Sequence, residues 1–275
     1  MVEDLLKNSN LLNLNKNKTF VMGILNLTPD SFYDGGKNLT KNNILSSLSS
    51  LSNADIIDVG AESSKPFSNP ITISEELRRL EILNDIDLND NFLSIDTYKP
   101  EVIKYAIKNG YSMINDISGG GVDNSNIILA AEYNVPIVLM HMKGNPANMQ
   151  NSPRYTNVVD EIKYFFEQKI NFVEKEGINK DNIILDPGLG FGKTALHNYE
   201  IILNLKDLKK IGYKILIGAS RKSFLSNEDS SKDRIYPSIG IASISIINGA
   251  DIVRVHDVNE TIMMTNAIDK IKYLN

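Results

Sequence analysis

The alternation of short apolar runs with longer helical segments is the feature that most limits how this chain can fold. Each run is rich in β-branched residues and has the length of a buried strand. The runs cover residues 20–25, 55–59, 92–95, 112–114, 136–140, 182–185, 214–217 and 251–255. Segments with helical spacing lie between them, most clearly at residues 74–83, 100–108, 158–176, 197–208 and 259–271. Strands and helices that alternate in this way over 275 residues predict an α/β fold, a closed (β/α)8 TIM barrel.

Local signals place the ends of several helices and argue against another fold. Ser74, followed by acidic residues, predicts the capped start of a helix. Pro100 suits a first helical turn, and Gly110 suits the end of the same helix. The alternative fold is an open doubly wound sheet, but the glycines of residues 118–121 lack the G-x-G-x-x-G spacing of a dinucleotide site. We expect residues 1–19 to form a short N-terminal extension that packs on the barrel, and residues 20–275 to form the barrel as one domain.

The composition argues against several classes of function. A net charge of −5 offers no basic surface for nucleic acid. The chain contains no Cys, which excludes disulfides, thiolate metal sites and a Cys nucleophile. No apolar run reaches the roughly 18 residues that a spanning helix needs. The first 19 residues also lack the apolar block of a signal peptide. We therefore expect a cytoplasmic protein that binds neither nucleic acid nor membrane.

Polar side chains follow nearly every predicted strand. The C-terminal ends of the strands meet at one mouth in such a barrel, and chemistry takes place there. The residues at these ends are Asn26, Asp58, Asp96, Thr97, Asn115, Asp116, His141, Asp186, Gly218, Ser220, Arg221, Lys222, Arg254, His256 and Asp257. Taken singly, an Asp or Asn after a strand is as often the cap of the next helix, and Asp58 has the position of a buried structural acid. Their recurrence along the chain favours a shared site.

Part of this set suits a flat heterocycle. Asp96, Asn115 and Asp186 can exchange hydrogen bonds with a ring edge that carries several N–H groups. Lys222 can meet a ring carbonyl or nitrogen. Arg254 can stack on a ring face while it pairs with an anion.

The rest of the set suits a phosphate group with a hard cation. Asn26, His256, Arg254 and the turn at Ser220 and Arg221 provide its donors. Mg²⁺ takes oxygen ligands and keeps waters, so one protein oxygen beside phosphate oxygens makes a normal shell. Two long segments, at roughly residues 26–39 and 60–73, have the length of functional lids.

Longer motifs along the chain carry a resemblance to a known family. They are GILNLTPDSF from residue 23, DGG from 34, IDVG from 57, ES from 62, DT from 96, INDI from 114, LMHM from 139, DPGLGFGK from 186, SRKS from 220 and RVHDV from 254. Over residues 20–270 they closely resemble the dihydropteroate synthase family. Its members join 6-hydroxymethyl-7,8-dihydropterin diphosphate to p-aminobenzoate, which gives 7,8-dihydropteroate and diphosphate in folate synthesis. Sulfonamides compete with p-aminobenzoate.

The resemblance implies a role for each matching residue. The catalytic groups would be Asp96, Asp186, Lys222 and Arg254, with both carboxylates facing a pterin cation left by loss of diphosphate. The pterin site would comprise Asp96, Asn115, Ile117, Met140, Asp186, Phe191, Gly218, Lys222 and Arg254. The p-aminobenzoate site would comprise Phe32, Ser64, Lys65, Pro66, Ser220 and Arg221, beside Lys222. Diphosphate would contact Asn26, Lys65, Arg254 and His256, and Asn26 would ligate Mg²⁺.

The chain departs from the family at two places, and two other functions stay open. Family members carry Thr-Arg where this chain has Ser64 and Lys65. Many also carry a glycine where Tyr236, Pro237 and Ser238 stand here, although the proline suits a first helical turn. One alternative is a methyltransferase from methyltetrahydrofolate to a corrinoid protein, which has no use for the SRKS motif. The other is a non-catalytic pterin-binding paralogue, which only Lys65 favours.

Residues 239–250 predict a homodimer. They are apolar, with small residues on several faces. A helix that packs on the barrel with one face needs less apolar surface than this. The family resemblance also implies dimers that pack through the late helices.

Overall fold

Eight parallel strands form the centre of the protein. The computed structural model describes residues 17–28, 41–88, 91–121, 123–225 and 234–274. The strands close into a barrel in chain order, so the predicted TIM barrel is confirmed and the open sheet is wrong. They are β1 (Phe20–Asn26), β2 (Ile56–Gly60), β3 (Leu93–Asp96), β4 (Met113–Asp116), β5 (Ile137–Met140), β6 (Ile183–Asp186), β7 (Lys214–Ile217) and β8 (Ile252–Val255). Each begins within one residue of its predicted run, because that run is the part buried on both faces.

Helices connect the strands around the outside of the barrel. They are α1 (Lys41–Ser50), α2 (Ile73–Leu80), α3 (Pro100–Lys108), α4 (Ser125–Tyr133), α5 (Val158–Lys175), α6 (Ala195–Leu203), α7 (Leu205–Lys209), α8 (Ile235–Ile247) and α9 (Val258–Lys272). Single 3₁₀ segments stand at Glu81–Asp85, Lys180–Asn182 and Ser223–Leu225. The segment predicted as one helix at residues 197–208 is two helices, α6 and α7. Pro237 lies in the first turn of α8, as expected.

Two helix starts show how local chemistry sets the boundaries. Thr72, rather than the predicted Ser74, caps α2, because its backbone is extended and its Oγ1 accepts from the Glu75 N–H at 3.2 Å. At α6, Thr194 Oγ1 accepts from the His197 N–H at 3.3 Å, and His197 Nδ1 accepts from the Thr194 N–H at 3.2 Å. His197 is therefore a helix-start residue, as the sequence indicated.

An apolar layer, here called the plug, fills the N-terminal half of the barrel interior. Its members are Phe20, Met22, Ile56, Phe92, Met113, Val138, Ile184, Leu216 and Ile252. A larger apolar cluster lies between the strands and the helices. Because strand residues point alternately inward and outward, the next inward positions after the plug belong to the mouth of the barrel.

The N-terminal end of the barrel is tied to the last helix. Thr19 donates to Asp269 of α9 through its backbone N–H at 2.8 Å and its hydroxyl at 2.6 Å. Residues 1–16 lie outside the described part of the chain, so the predicted packing of the N-terminal extension stays a prediction. Within the described ranges, no helix combines the length and the apolar character that crossing a membrane requires.

Candidate active site

The alternation of strand residues brings most of the predicted site residues into one pocket. On β6, Ile184 belongs to the plug, so Asp186, two residues later, also points inward. The same step leads from Ile252 to Arg254 on β8. The same step selects Asp58, Asn115, Met140 and, just beyond β7, Gly218, whereas Asn26 and Asp96 share the inward parity four residues after the plug members Met22 and Phe92. The polar mouth is therefore a second interior layer that lies directly on the plug.

Arg254 is held at the centre of the mouth by two carboxylates. Its Nε donates to Asp58 Oδ2 and its Nη2 donates to Asp96 Oδ2, each at 2.6 Å. Asn115 Nδ2 donates to the same Asp58 oxygen at 2.8 Å. Burial alone would lower the pKa of Arg254, but the charges of Asp58 and Asp96 outweigh it and raise the pKa. Two such bonds fix the plane of the guanidinium group.

Asp58 contacts two of the predicted site residues, although no site role was predicted for it from the sequence. Its side chain is fully buried, yet it accepts from both Arg254 and Asn115. Its position before the end of β2 suggested only a structural acid. The alternation of strand residues could have located Asp58 in the mouth, because Ile56, two residues earlier, belongs to the plug. Asp58 therefore orients two of the residues predicted to bind the pterin.

Burial controls the charge of Asp96. Desolvation raises its pKa to about 7, against the opposing effect of Arg254, and Asp58 raises it further. A carboxyl group with this pKa titrates close to neutral pH, which is unusual for Asp. Such shifts are common where carboxylates take part in chemistry.

Asp186, Lys222 and Phe191 form the opposite wall. Asp186 Oδ1 accepts from the Gly188 N–H at 2.7 Å, and burial raises the pKa of Asp186 while Lys222 opposes the change. Lys222 donates from Nζ to the Leu189 carbonyl, and Nζ stands 4.6 Å from the centre of the Phe191 ring. Burial lowers the pKa of Lys222 to about 8, with Asp186 opposing. This wall thus pairs a carboxylate with an ammonium group beside an aromatic face.

His256 directly follows β8 and contacts Ser220. Its Nδ1 lies 3.0 Å from Ser220 Oγ, and its backbone N–H donates to the same oxygen at 3.2 Å. Burial, with the charges of Arg254, Arg221 and Lys65, lowers the pKa of His256 to about 4, and Asp257 opposes the change. The imidazole is therefore neutral at pH 7.

Arg221 is bound by Asp257, which directly precedes α9. Its guanidinium donates to both oxygens of Asp257, at 3.0 and 2.5 Å. Its backbone takes the left-handed conformation with φ +58°, and its N–H donates to Ser238 Oγ at 2.8 Å. Direct contact between Arg221 and p-aminobenzoate stays a prediction, and its paired guanidinium speaks for a supporting role.

A pocket between β2, β3 and β4 contains three predicted site residues, Ser64, Asp96 and Ile117. Its lining is Glu62, Ser63, Ser64, Glu76, Asp96, Thr97, Tyr98, Ile117 and Pro146. Lys65 and Pro66 follow Ser64 on the same loop and are exposed. Of the other predicted residues, Met140 is buried at the end of β5. Gly218 lies beside Arg254, because a Cβ built on Gly218 would lie 3.8 Å from Arg254 Cβ.

Lys99 anchors the loop that carries Ser64 and Lys65. Its Nζ donates to Glu62, to the Ile71 carbonyl at 2.7 Å and to Glu76 Oε2 at 2.6 Å. One buried ammonium group thus holds both ends of the loop and the first turn of α2. The sequence did not indicate Lys99, because its three partners meet only in the folded chain.

Asn26 is the residue that fits a divalent cation. Its side-chain amide is half-buried at the end of β1, and no other described residue bonds it. A Cβ built on Gly60 would lie 3.6 Å from Asn26 Oδ1 and 3.4 Å from Asp96 Oδ2, so the two oxygens border the same space. Across the described ranges, no three His, Asp or Glu residues group as metal ligands. One amide oxygen therefore suits an ion that phosphate oxygens and water would otherwise ligate. Phe32 lies outside the described residues.

The family follows from sequence comparison. Residues 22–256 match the family of pterin binding enzymes, and the chain belongs to it. It is 37% identical over 262 residues to the dihydropteroate synthase of Synechocystis, covering 92% of this chain and 90% of the relative. The Escherichia coli dihydropteroate synthase is 38% identical over 258 residues, covering 90% of each. The resemblance to dihydropteroate synthases is thereby confirmed.

Solved structures agree with this assignment. A Yersinia pestis dihydropteroate synthase with a sulfonamide drug complex superposes with a TM-score of 0.85 and 36% identity, covering 93% of this chain and 95% of the other. A Xanthomonas albilineans dihydropteroate synthase in complex with 7,8-dihydropteroate superposes with a TM-score of 0.82 and 32% identity, covering 93% and 94%.

Proposed function

We propose that this protein catalyses the dihydropteroate synthase reaction, the transfer of a dihydropterin methylene group from diphosphate to the amine of p-aminobenzoate. The observation that carries the proposal is the convergence of Asp96, Asn115, Asp186, Lys222 and Arg254 at the mouth of the barrel, where hydrogen bonds through Asp58 and the charges of these groups link them. These groups supply the donors and acceptors that the edge of a pterin ring requires. The relatives named above support the same reaction.

The arrangement of charges favours departure of diphosphate before attack by the amine. The methylene carbon–oxygen bond breaks, and both of its electrons leave with diphosphate. The remaining pterin cation is stabilised by the carboxylates of Asp96 and Asp186. The lone pair of the arylamine then forms the carbon–nitrogen bond, and the amine releases a proton. No covalent enzyme intermediate is needed.

The leaving group would be bound at the side of the mouth that holds His256. Arg254, Lys65 and neutral His256 offer donors to the diphosphate oxygens, and the charge of Lys65, which acts on His256, favours an anion there. Asn26 would hold Mg²⁺, which when bound offsets the negative charge of diphosphate. Lys65, on the exposed loop, would contact diphosphate or p-aminobenzoate once both are bound. Phe32, Ser64, Pro66, Ser220 and Arg221 would border p-aminobenzoate, where sulfonamides compete.

A single assay tests the proposed reaction. The purified protein is incubated with the pterin diphosphate, Mg²⁺ and p-aminobenzoate, and both released diphosphate and 7,8-dihydropteroate are measured. We expect the two products in equal amounts, and no dihydropteroate when p-aminobenzoate is omitted. Pterin binding without turnover would instead indicate the non-catalytic paralogue. Methyl transfer from methyltetrahydrofolate to a corrinoid protein would indicate the methyltransferase.

Exposed apolar side chains on the last two helices, α8 and α9, support a homodimer. The exposed fractions of Tyr236, Ile244 and Ile247 on α8 are 84%, 51% and 43%, and that of Met263 on α9 is 75%. Exposed apolar side chains on adjacent helices are typical of an interface with a second copy. We expect light scattering at micromolar concentration to give the mass of a dimer, and Ile244→Glu to give a monomer. A monomeric parent protein would contradict the proposal.

A further inference from the structure

The loop between β6 and α6 has an unusual set of partners. Its carbonyl groups at residues 188–192 each accept a hydrogen bond from a side chain. The donors, in order of the carbonyls, are Lys193, Lys222, Gln150, Lys193 and Tyr155. Only Lys222 among these donors has been assigned to the pterin site. The other three belong to no function described so far.

The path of this loop explains why it needs external support. Gly188, Gly190 and Gly192 have φ values of +66°, +83° and +63°, in the left-handed region that favours glycine. A Cβ on Gly188 would lie 2.1 Å from the His141 carbonyl oxygen, and one on Gly192 would lie 2.3 Å from the Lys143 carbonyl oxygen. Glycine is therefore required, but it also gives the unfolded or unsupported loop the most conformational freedom.

Lys193 is the most buried of the supporting donors. Its side chain is 3% exposed, and its Nζ lies 3.0 Å from the carbonyl oxygens of Gly188 and Phe191. The same Nζ lies 3.0 Å from His141 Nδ1 and 3.2 Å from the His141 carbonyl oxygen. All four partners are uncharged, because burial lowers the pKa of His141 to about 3. Burial lowers the pKa of Lys193 itself to about 7, with the charge of Asp186 opposing. Burying a basic group without a carboxylate in contact costs stability, which speaks for a role beyond packing.

Gln150 supports the loop from the opposite side. It lies in the connection between β5 and α5, and its Nε2 donates to the Gly190 carbonyl at 2.5 Å. Tyr155, from the same connection, donates to the Gly192 carbonyl at 2.9 Å. The loop thus depends on side chains of the neighbouring connection between β5 and α5.

The supported atoms lie next to pterin-site groups. Phe191, whose carbonyl is held by Lys193, presents its ring 4.6 Å from Lys222 Nζ. Leu189, between two held residues, supplies the carbonyl that receives Lys222 Nζ. A shift of this loop would therefore move both the ring and the ammonium group.

We propose that Gln150 and Lys193 are positioning residues of the pterin site, which act by holding the loop carbonyls that fix Phe191 and Lys222. The inference rests on the proposed function, since it concerns binding of the pterin diphosphate. Neither residue is required to contact the substrate. Their effect is on pterin affinity, whereas the p-aminobenzoate contacts on the loop after β2 stay unaltered.

The test compares variants that remove one donor each. Gln150→Met keeps the length of the side chain and removes its N–H groups, and Lys193→Met does the same for the ammonium group. Asn151→Ala is the matched control, because Asn151 is exposed and its side chain bonds no described residue. The dissociation constant for pterin diphosphate is measured by calorimetry below the unfolding temperature, and KM for p-aminobenzoate is measured in steady state.

We expect Gln150→Met to raise the dissociation constant for pterin diphosphate about threefold to tenfold, the effect of one hydrogen bond. Lys193→Met should raise it further, while Asn151→Ala leaves it at the parent value. KM for p-aminobenzoate should change less than about twofold in Gln150→Met, because only the pterin wall moves. A merely structural role would lower the unfolding temperature and leave the dissociation constant unaltered.

Two results would overturn the inference. One is a parent-like dissociation constant in Gln150→Met. This result would overturn the proposed positioning role even where Lys193→Met fails to fold. The other is an equal loss of affinity for both substrates. If the parent protein itself binds no pterin diphosphate, the proposed function fails, and that outcome is distinct from both.

Discussion

Replacing Asp96 by Asn separates what this carboxylate does for catalysis from what it costs the fold. Burial raises the pKa of Asp96 from 3.8 to about 7. Between those two pH values the folded protein holds a proton that the unfolded chain has released. The folded state therefore binds more protons, and its free energy of unfolding falls as pH rises through this window. The full change amounts to roughly 4 kcal/mol for one group, as an upper bound.

The variant lacks this titration, so its free energy of unfolding should fall less than that of the parent as pH rises. At pH 5 both proteins carry an uncharged side chain at position 96, and the variant should be no more stable than the parent. By pH 8 the variant should gain on the parent by about 2–3 kcal/mol, since the parent then buries a charge.

Urea unfolding at several pH values measures this difference, and steady-state kinetics measures its functional counterpart. We expect turnover of Asp96→Asn to fall about 10²–10³-fold, because an uncharged amide cannot stabilise the pterin cation. In the parent, kcat/KM should rise with pH through about 7 as Asp96 ionises. A difference in unfolding free energy that is the same at pH 5 and pH 8 would refute the argument about burial. Near-normal turnover in the variant would refute the assigned role.

The remaining predictions concern other residues of the mouth. Asp186→Asn should lower turnover about 10²–10³-fold in the product assay and leave the fold intact by circular dichroism. Asp58→Asn should raise KM for pterin diphosphate and destabilise the protein by about 3 kcal/mol in urea, because it leaves Arg254 with one carboxylate; an unaltered KM would count against its orienting role. Lys65→Arg should lower KM for p-aminobenzoate about fivefold, equivalent to about 1 kcal/mol, through a bidentate contact. Lys65→Ala should raise this KM. If Lys65→Ala leaves both KM values and turnover unchanged, Lys65 is a solvated surface charge.

Much of the barrel could be predicted because its strands are buried on both faces. Such strands read as continuous apolar runs, so their starts were placed within one residue. Helix α1 was harder, since it is rich in Asn and Ser and buries only Ile44. Its helical state depends on packing against the barrel rather than on its own propensity.

The site residues at the strand ends could be predicted, whereas the residues that reach distant partners through loops could not. Asp96, Asp186 and Arg254 stand at fixed positions in their strands, so position alone identified them. Lys99 and Gln150 reach partners 23 to 40 residues away through loops whose paths no local pattern specifies. Asp58 could have been found from strand parity, because it lies two residues after the plug residue Ile56.

The apolar plug closes the barrel interior on the side opposite the strand ends, with consequences for the order of substrate binding. The groups around Arg254 lie directly on the plug, whereas Ser64 and Ser220 stand on loops beyond the strand ends. A pterin in the deeper position can therefore enter only while the outer position is empty. Pterin diphosphate should bind first, and p-aminobenzoate that arrives early should stand in its way. Initial rates should accordingly fall at high p-aminobenzoate when pterin diphosphate is scarce, and recover when it is abundant.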